Sequence, residues 1–161
     1  MILAAITLDL LAMYFFARFC AAHDADAIAK QQPINHVEGW IMRAAVGLAF
    51  SLGCGLPSGS LWVAALLCVA NSGLFSYVFR RRLNRLRGFN VNYVAPGNLY
   101  DWTVMWLVGF RGGRKYWISV WSDNVIVRNV QRWVHRAGRL ASTVEIALAT
   151  LAVGLAVYLT I

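Results

Sequence analysis

Apolar residues gather in four long stretches that are separated by polar segments. The stretches run from Ile2 to Phe19, Trp40 to Leu56, Leu61 to Phe79 and Leu140 to Ile161. A membrane-spanning helix takes about 20 residues, with a range of roughly 17–25, so each stretch is long enough, or nearly so, to cross a bilayer. The pattern predicts an all-α membrane protein with four transmembrane helices, forming a single integral membrane domain over residues 1–161.

The connections between the stretches refine this prediction. The first stretch has no basic segment before it and carries Asp9 in its middle, so we do not expect a cleaved signal peptide. Only Pro57-Ser58-Gly59-Ser60 separates the second stretch from the third, which is the turn chemistry of a tight helical hairpin. In an alternative arrangement, one weakly apolar stretch is buried in protein instead of lipid, and the first stretch is the main candidate.

The composition agrees with a membrane protein. The hydrophobic fraction is 60% and the charged fraction 14%, against about 45–50% and about 25% in soluble domains. Cys20, Cys54 and Cys68 fall in or at the edge of apolar stretches. Their odd number and the lack of a CxxC spacing indicate neither a disulfide framework nor a zinc site. We interpret them as small apolar packing residues.

The basic residues predict the orientation. The formal charge is +8, but its distribution is more informative than its size. Three of the 15 basic residues, Arg18, Lys30 and Arg43, lie at or between the first two stretches. The others lie between the third and fourth stretches: Arg80, Arg81, Arg82, Arg85, Arg87, Arg111, Arg114, Lys115, Arg128, Arg132, Arg136 and Arg139. Because Lys and Arg collect on the cytoplasmic side, we expect a multi-pass protein of a bacterial inner membrane with both termini outside.

The segment from Cys20 to Gly39 contains potential metal ligands. The candidates are His23, Asp24, Asp26, His36 and Glu38. Imidazole and carboxylate ligands together suit zinc, iron or manganese, but no HExxH or ExxH register supports a site. We therefore predict no cofactor and interpret the segment as a solvated loop. A divalent metal held by His23, Asp26, His36 and Glu38 is the alternative.

The arginine cluster RRRLNRLR opens the segment after the third stretch. We interpret it first as a stop-transfer signal at the cytoplasmic end of that span. Nucleic-acid binding is disfavoured, because the neutral loop that follows lacks interleaved basic and aromatic residues. That loop, NVNYVAPGNLYDW, offers Tyr93, Asn98, Tyr100 and Asp101 as testable residues. Residues 102–110 are apolar but too few to span, so they suit an interfacial or re-entrant piece.

An amphipathic helix is predicted over about residues 122–138, with Ser122 or Asp123 as N-cap. Ile126, Val130 and Val134 follow helical spacing, and basic residues fall largely on the other side. Such a helix normally lies in the inner interface and faces anionic lipid, at about 1 kcal/mol per Lys or Arg. An acidic protein partner is the alternative. The predicted lipid or partner contacts are Arg80, Arg81, Arg82, Arg85, Arg87, Arg128, Arg132, Arg136 and Arg139.

Ionisable residues within the predicted spans are functional candidates, since each is costly in hydrocarbon. Arg43 and Glu145 both lie about 5–6 Å from the cytoplasmic face at 1.5 Å rise per residue, so we expect them to form an inter-helix ion pair. Asp9 is deeper, and Asn71 and Ser72 lie at a comparable depth, so we expect a hydrogen bond there. If water lines Asp9, a proton or cation path is the alternative.

Small residues mark a packing face on the second span. Gly47, Ser51 and Gly55 recur at intervals of four, a stripe that lets helices approach closely, in the same chain or in a second copy. No GxSxG, no cysteine activated by a nearby histidine and no GxxxxGK[ST] or GxGxxG occurs. The sequence therefore favours a protein without catalytic chemistry of its own.

The order of parts resembles that of small multi-spanning membrane proteins of bacterial and phage genomes. The resemblance covers roughly residues 34 to 102. It rests on an HxExxxxR stretch (His36, Glu38, Arg43), a basic end to the third span, and the loop NYVAPGNLYD. It implies a multi-pass membrane protein and brings no established activity or catalytic residues with it.

Three functions follow as hypotheses. The first is a non-enzymatic accessory or scaffolding subunit, or a phage-derived membrane factor, that holds lipid or a protein partner through its basic cytoplasmic segment. The second is a small pore or transporter, built as a homo-oligomer, with Asp9 and Asn71 lining the path. The third is a metal-dependent membrane enzyme that uses the loop from His23 to Glu38.

Overall fold

Four long helices form the part of the chain that the computed structural model describes, residues 2–33, 36–93 and 127–160. For residues 36, 37 and 127–133 only the backbone is described. The helices are α1 (Ile2–Ala29), α2 (His36–Gly55), α3 (Leu61–Leu86) and α4 (Val127–Tyr158), and a 3₁₀ turn at Leu56–Ser58 joins α2 to α3. All four are long and apolar enough to cross a membrane. The prediction of an all-α protein with four membrane-length helices is confirmed.

Helix α1 is longer than its apolar stretch. It continues for ten residues past Phe19 to Ala29, so the prediction of a solvated loop from Cys20 onward is wrong for that part. The extension, CAAHDADAIA, is rich in alanine, the best helix former. The helix ends where Gln31 adopts a positive φ of 54°. As a consequence, Asp24 lies on a helix and is turned into the bundle, where it is buried.

Helices α3 and α4 also extend beyond their apolar stretches. Arg80, Arg81, Arg82 and Arg85 belong to the last turns of α3, which ends before Gly88 at a positive φ of 72°. Helix α4 begins at residue 127 and runs without interruption through the fourth span. The structure therefore does not show a separate helix over about 122–138, because residues 127–138 are the first turns of α4. Residues 122–126 lie outside the described part of the chain.

Helix α3 is the centre of the bundle and packs against α1, α2 and α4. Small residues bring the helix backbones close together. This is expected in a membrane, because lipid tails are as apolar as the side chains, so helices associate through close packing and not through the hydrophobic effect. A Cβ at Gly55 would overlap the backbone of Ala64 in α3, and one at Gly73 would lie 2.6 Å from the backbone oxygen of Glu145 in α4. The bundle is therefore held by close helix contacts as well as by side-chain packing.

The small-residue stripe of α2 faces helices of the same chain. A Cβ at Gly47 would contact Met13 of α1 at 3.4 Å, and Ser51 is fully buried. The outward side of the bundle is apolar. On α1, for example, Leu8 is 65% and Phe15 63% exposed, so the other helices of this chain do not bury the first stretch. Its outer face has the character of a lipid-facing surface.

Candidate functional site

Basic side chains come together at one end of the bundle, which we call the basic end. The helices alternate in direction, so the last turns of α1 and α3 meet the first turns of α2 and α4. Asp24 of α1 contacts Arg43 of α2 there, and a Cβ at Gly138 of α4 would overlap the carbonyl of Asn92, which follows α3. The opposite end carries the 3₁₀ turn.

The first polar contact at the basic end joins α1 to α2. The Arg43 Nη2 atom donates to both carboxylate oxygens of Asp24, each at 2.7 Å, and the guanidinium lies 4.6 Å from the ring centre of Phe79. The predicted Arg43–Glu145 pair is wrong, although both residues lie near the same end. The pairing differs because α4 packs on α3, and because the extension of α1 supplies Asp24 beside Arg43.

The second contact joins α3 to α4. The Arg80 Nη2 atom donates to Glu145 Oε2 at 2.6 Å and to Ser142 Oγ at 3.1 Å, while Nη1 donates to the Gly138 carbonyl at 3.2 Å. The two charged side chains are 10% and 6% exposed. Arg80 was expected among the lipid or partner contacts, but its guanidinium is turned into the bundle and ties α3 to α4 instead.

A third polar contact, the buried clamp, lies deeper and joins three helices. The Asn71 Nδ2 atom of α3 donates to Asp9 Oδ2 of α1 at 2.9 Å and Oδ1 at 3.1 Å, and approaches Ser51 Oγ of α2 at 2.9 Å. The predicted Asp9–Asn71 hydrogen bond is confirmed. Ser72, the other expected donor, bonds instead to the carbonyl of Cys68 in its own helix. Asp9 is only 2% exposed, so its carboxylate is enclosed by the helices of one chain.

The proposed metal ligands are spread over different contacts. The His23 side chain is 73% exposed, and Asp26 forms an i,i+4 pair with Lys30 at 2.7 Å. Asp24 is held by Arg43. Within the described residues no group of three or more His, Cys, Asp and Glu side chains is close enough to hold a metal ion. The side chain of His36 is not described, and Glu38 is exposed near the start of α2.

The start of the uncharged loop folds back onto α3. Asn84 is buried and donates to the carbonyls of Val91 at 3.3 Å and Tyr93 at 2.7 Å, and the rings of Phe89 and Tyr93 lie 4.7 Å apart. Sequence reasoning missed Asn84, which stands inside the arginine cluster. The other loop candidates, Asn98, Tyr100 and Asp101, lie outside the described residues, as do the side chains of Arg128 and Arg132. Arg136 and Arg139 are exposed on α4.

A cleft of about 170 Å³ opens between α1 and α3 at the basic end. We call it the arginine cleft. Helix α1 contributes Tyr14 and Arg18, and α3 contributes Tyr77, Val78, Arg81, Arg82 and Arg85. Arg18 and Arg85 are exposed, while Arg81 and Arg82 are half-buried. The expected contact residues Arg81, Arg82 and Arg85 therefore share one site. Sequence reasoning missed Arg18 and the two tyrosines, although the four-residue spacings Tyr14–Arg18 and Tyr77–Arg81 place each pair on one helix face.

Known proteins offer no guide to this site. Comparison of the chain with protein-family models, with curated proteins and with solved structures gives no match. Function is therefore inferred from the side chains at the basic end and in the buried clamp.

Proposed function

We propose that the protein is a non-enzymatic accessory or scaffolding subunit of a bacterial inner membrane, of host or phage origin, that holds anionic lipid through its basic end. The observation that carries this proposal is the gathering of arginines from α1 and α3 at one end of a bundle of membrane-length helices. Anionic headgroups attract Lys and Arg near the membrane surface by about 1 kcal/mol each.

The arginines at the basic end fall into two groups: one stabilises the bundle, and the other is available to bind a ligand. Arg43 and Arg80 are matched by Asp24 and Glu145, so their charges are already compensated inside the bundle. Within the described residues, no acidic side chain forms an ion pair with the arginines of the arginine cleft, which leaves their charge for a ligand. A protein partner at the same end is an extension of this proposal, since a scaffolding role requires one.

The proposed orientation puts the basic end in the cytoplasm and both ends of the given chain outside, following the rule that Lys and Arg stay inside. A Ser58→Cys variant with the three natural cysteines replaced tests it, because the 3₁₀ turn lies at the opposite end of the bundle. We expect a membrane-impermeant thiol reagent to label this cysteine from outside the cell. Labelling only after the inner membrane is opened would contradict the orientation.

The function itself is tested by purification in mild detergent followed by native mass spectrometry and metal analysis. We expect retained anionic phospholipid, together with a partner protein in fixed stoichiometry. A metal-free monomer with neither lipid nor partner would contradict the proposal. Release of ions from liposomes that depends on Asp9 would favour the pore hypothesis, and a stoichiometric metal would favour the enzyme.

A further inference from the structure

We propose that the arginine cleft is a stoichiometric binding site for the phosphate of a lipid whose headgroup carries two or more negative charges. This inference rests on the proposed function, and it adds a defined site and a ligand class to a general preference for anionic lipid. The phosphate is recognised by side chains of α1 and α3, which line the same cleft.

The spacing of the residues directs the arginines into the cleft. Tyr14 and Arg18 stand one turn apart on α1, and Tyr77, Arg81 and Arg85 stand at successive intervals of four on α3. Side chains at this spacing lie above one another on the same helix face. An orientation signal needs only enough Lys and Arg near the end of a span. It does not require arginines of two different helices to meet, so the convergence calls for a further reason.

Aromatic and amide groups hold two of these arginines in place. Arg18 Nη1 donates to the Tyr14 hydroxyl at 2.9 Å, and its guanidinium lies 5.6 Å from the ring centre of Tyr14. Arg81 lies 5.0 Å from the ring centre of Tyr77 and donates to Asn92 Oδ1 at 3.2 Å. A guanidinium has five N–H donors, so each of these keeps donors for a ligand. Because these contacts restrict the two side chains, less conformational entropy is lost on binding.

The cleft carries positive charge that the described part of the protein does not neutralise. Its four guanidinium groups belong to Arg18, Arg81, Arg82 and Arg85. The five described acids have other environments. Asp24 and Glu145 pair with Arg43 and Arg80, and Asp26 pairs with Lys30. Asp9 lies in the buried clamp, and Glu38 stands in the first turn of α2. Four like charges in one small space repel each other, so an anion that enters is bound by more than a single ion pair.

This charge selects the ligand class. Planar guanidinium groups bind phosphate through two parallel hydrogen bonds, and the tyrosine hydroxyls add neutral donors. A headgroup with one negative charge would leave most of the four positive charges unbalanced, whereas a phosphomonoester or a pair of phosphates balances more of them. The cleft, at about 170 Å³, is several times the roughly 30 Å³ that one water molecule takes in the liquid, so a phosphate with some of its water fits.

The surroundings favour a lipid over a soluble phosphate. Leu11 precedes Tyr14 by three residues on α1, and Leu74 precedes Tyr77 by three on α3, so both helices continue from the cleft toward the other end of the bundle with apolar side chains on the same face. Acyl chains can follow these side chains while the phosphate stays at the tyrosines, which belong at headgroup level.

The site is tested by titrating the detergent-solubilised full chain with lipids of identical acyl chains and counting bound lipid by native mass spectrometry. Phosphatidic acid supplies the doubly charged phosphate, phosphatidylglycerol a singly charged one, and phosphatidylcholine a zwitterion. The cleft variant is Arg81→Gln with Arg85→Gln. The matched control for Arg85→Gln is Lys30→Gln, which removes one exposed charge at the same end but outside the cleft, where Lys30 pairs with Asp26. Inorganic phosphate and a short RNA serve as soluble competitors.

We expect one phosphatidic acid per chain, bound at least about tenfold more tightly than phosphatidylglycerol. The cleft variant should weaken this binding by at least about tenfold, since each lost charge-assisted bond is a substantial share of the affinity. The control variant should change it by less than about twofold. Arg85→Gln alone should give an intermediate loss of affinity. Because Arg85 is exposed, we expect this variant to fold, so it tests the site even if the double variant does not fold.

The outcomes separate the site from the general function. Equal losses in the cleft and control variants, with anionic lipid still preferred, would overturn the site and leave the proposed function standing. No preference for either anionic lipid over phosphatidylcholine would overturn both. Displacement of phosphatidic acid by inorganic phosphate or by RNA at equal concentration would overturn the assignment to a lipid.

Discussion

The buried ion pair between Arg80 and Glu145 can be tested with single and double replacements by methionine. The pair joins α3 to α4 through a contact of 2.6 Å between side chains that are 10% and 6% exposed. Arg80→Met removes the guanidinium that α3 places against Glu145, and Glu145→Met removes the carboxylate that α4 places against Arg80. Arg80→Met with Glu145→Met removes both charges and keeps similar side-chain volume.

The magnitude follows from two opposing energies. For charge centres about 4 Å apart, the attraction is about 4 kcal/mol at an effective dielectric constant of 20. Removing the two ions from water costs several kcal/mol each, so the net contribution of the intact pair is small. Removing one partner leaves the cost of burying the other, and we expect each single variant to lose about 3–5 kcal/mol of stability. The double variant should lose less than either single variant.

Equilibrium unfolding in mixed micelles, followed by the fluorescence of the seven tryptophans, measures these differences. The control is Arg87→Met at the end of α3, where the exposed guanidinium lies 4.8 Å from the ring centre of Phe89. It should change the free energy of unfolding by no more than about 1 kcal/mol, the size of an exposed cation–π contact. A double variant as unstable as the sum of the two single variants would refute the buried pair, because independent sites add whereas coupled ones do not.

Two further variants address the buried clamp and the close approach of α4. Asn71→Leu removes the hydrogen bonds to Asp9. It should lower the free energy of unfolding by about 1–3 kcal/mol in the same titration, because a buried polar group loses its partner. Ser72→Ala, on the exposed side of α3, should change this free energy little. Gly138→Val should displace the turn after α3, since a Cβ there overlaps a carbonyl of that turn. We expect faster limited proteolysis after α3 for this variant and no change for Gly154→Ala, where a Cβ meets nothing within 4 Å.

The controls decide both of these predictions. A Ser72→Ala protein as unstable as Asn71→Leu would mean that the clamp contributes no more than a surface hydroxyl. Equal proteolysis rates for the two glycine variants would mean that the turn after α3 does not depend on its contact with α4.

The four membrane-length helices could be predicted because long apolar stretches are a one-dimensional signal. The ends of the helices could not, since helix formation continues into polar residues once the first turns exist. Helix α1 shows this best: hydropathy falls after Phe19, but the alanine-rich residues that follow continue the helix to Ala29. The placement of Asp24 inside the bundle depends entirely on this extension.

The polar contacts were predictable only where depth alone decides the partner. Asp9 and Asn71 lie at matching depth on neighbouring helices, and they meet. Arg43 and Glu145 also lie at matching depth, but on helices α2 and α4, which each pack on α3. Counting residues along a span gives the distance from the membrane surface and says nothing about which helices are neighbours. The partners of Arg43 and Glu145 therefore required the three-dimensional packing.

The arginine cleft was predictable in part. Its arginines on α3 belong to a cluster that the sequence displays openly, but Arg18 stands alone at the end of the first apolar stretch. The missing information was again the pairing of α1 with α3. The tyrosine one turn before Arg18 and the tyrosine one turn before Arg81 were a usable signal, because an Arg above a Tyr on one helix face forms a cation–π contact.

The buried clamp and the arginine cleft depend on each other through the rotation of α3. Val78 and Arg82 follow Asn71 by seven and eleven residues, spacings that return to the same helix face. The face that the clamp turns toward α1 is therefore the face that also presents side chains to the cleft. Since Asn71 contacts Asp9 of α1 and Ser51 of α2 together, it fixes the rotation of α3 against both helices. The buried polar contacts then hold the arginines of the cleft in register across α1 and α3.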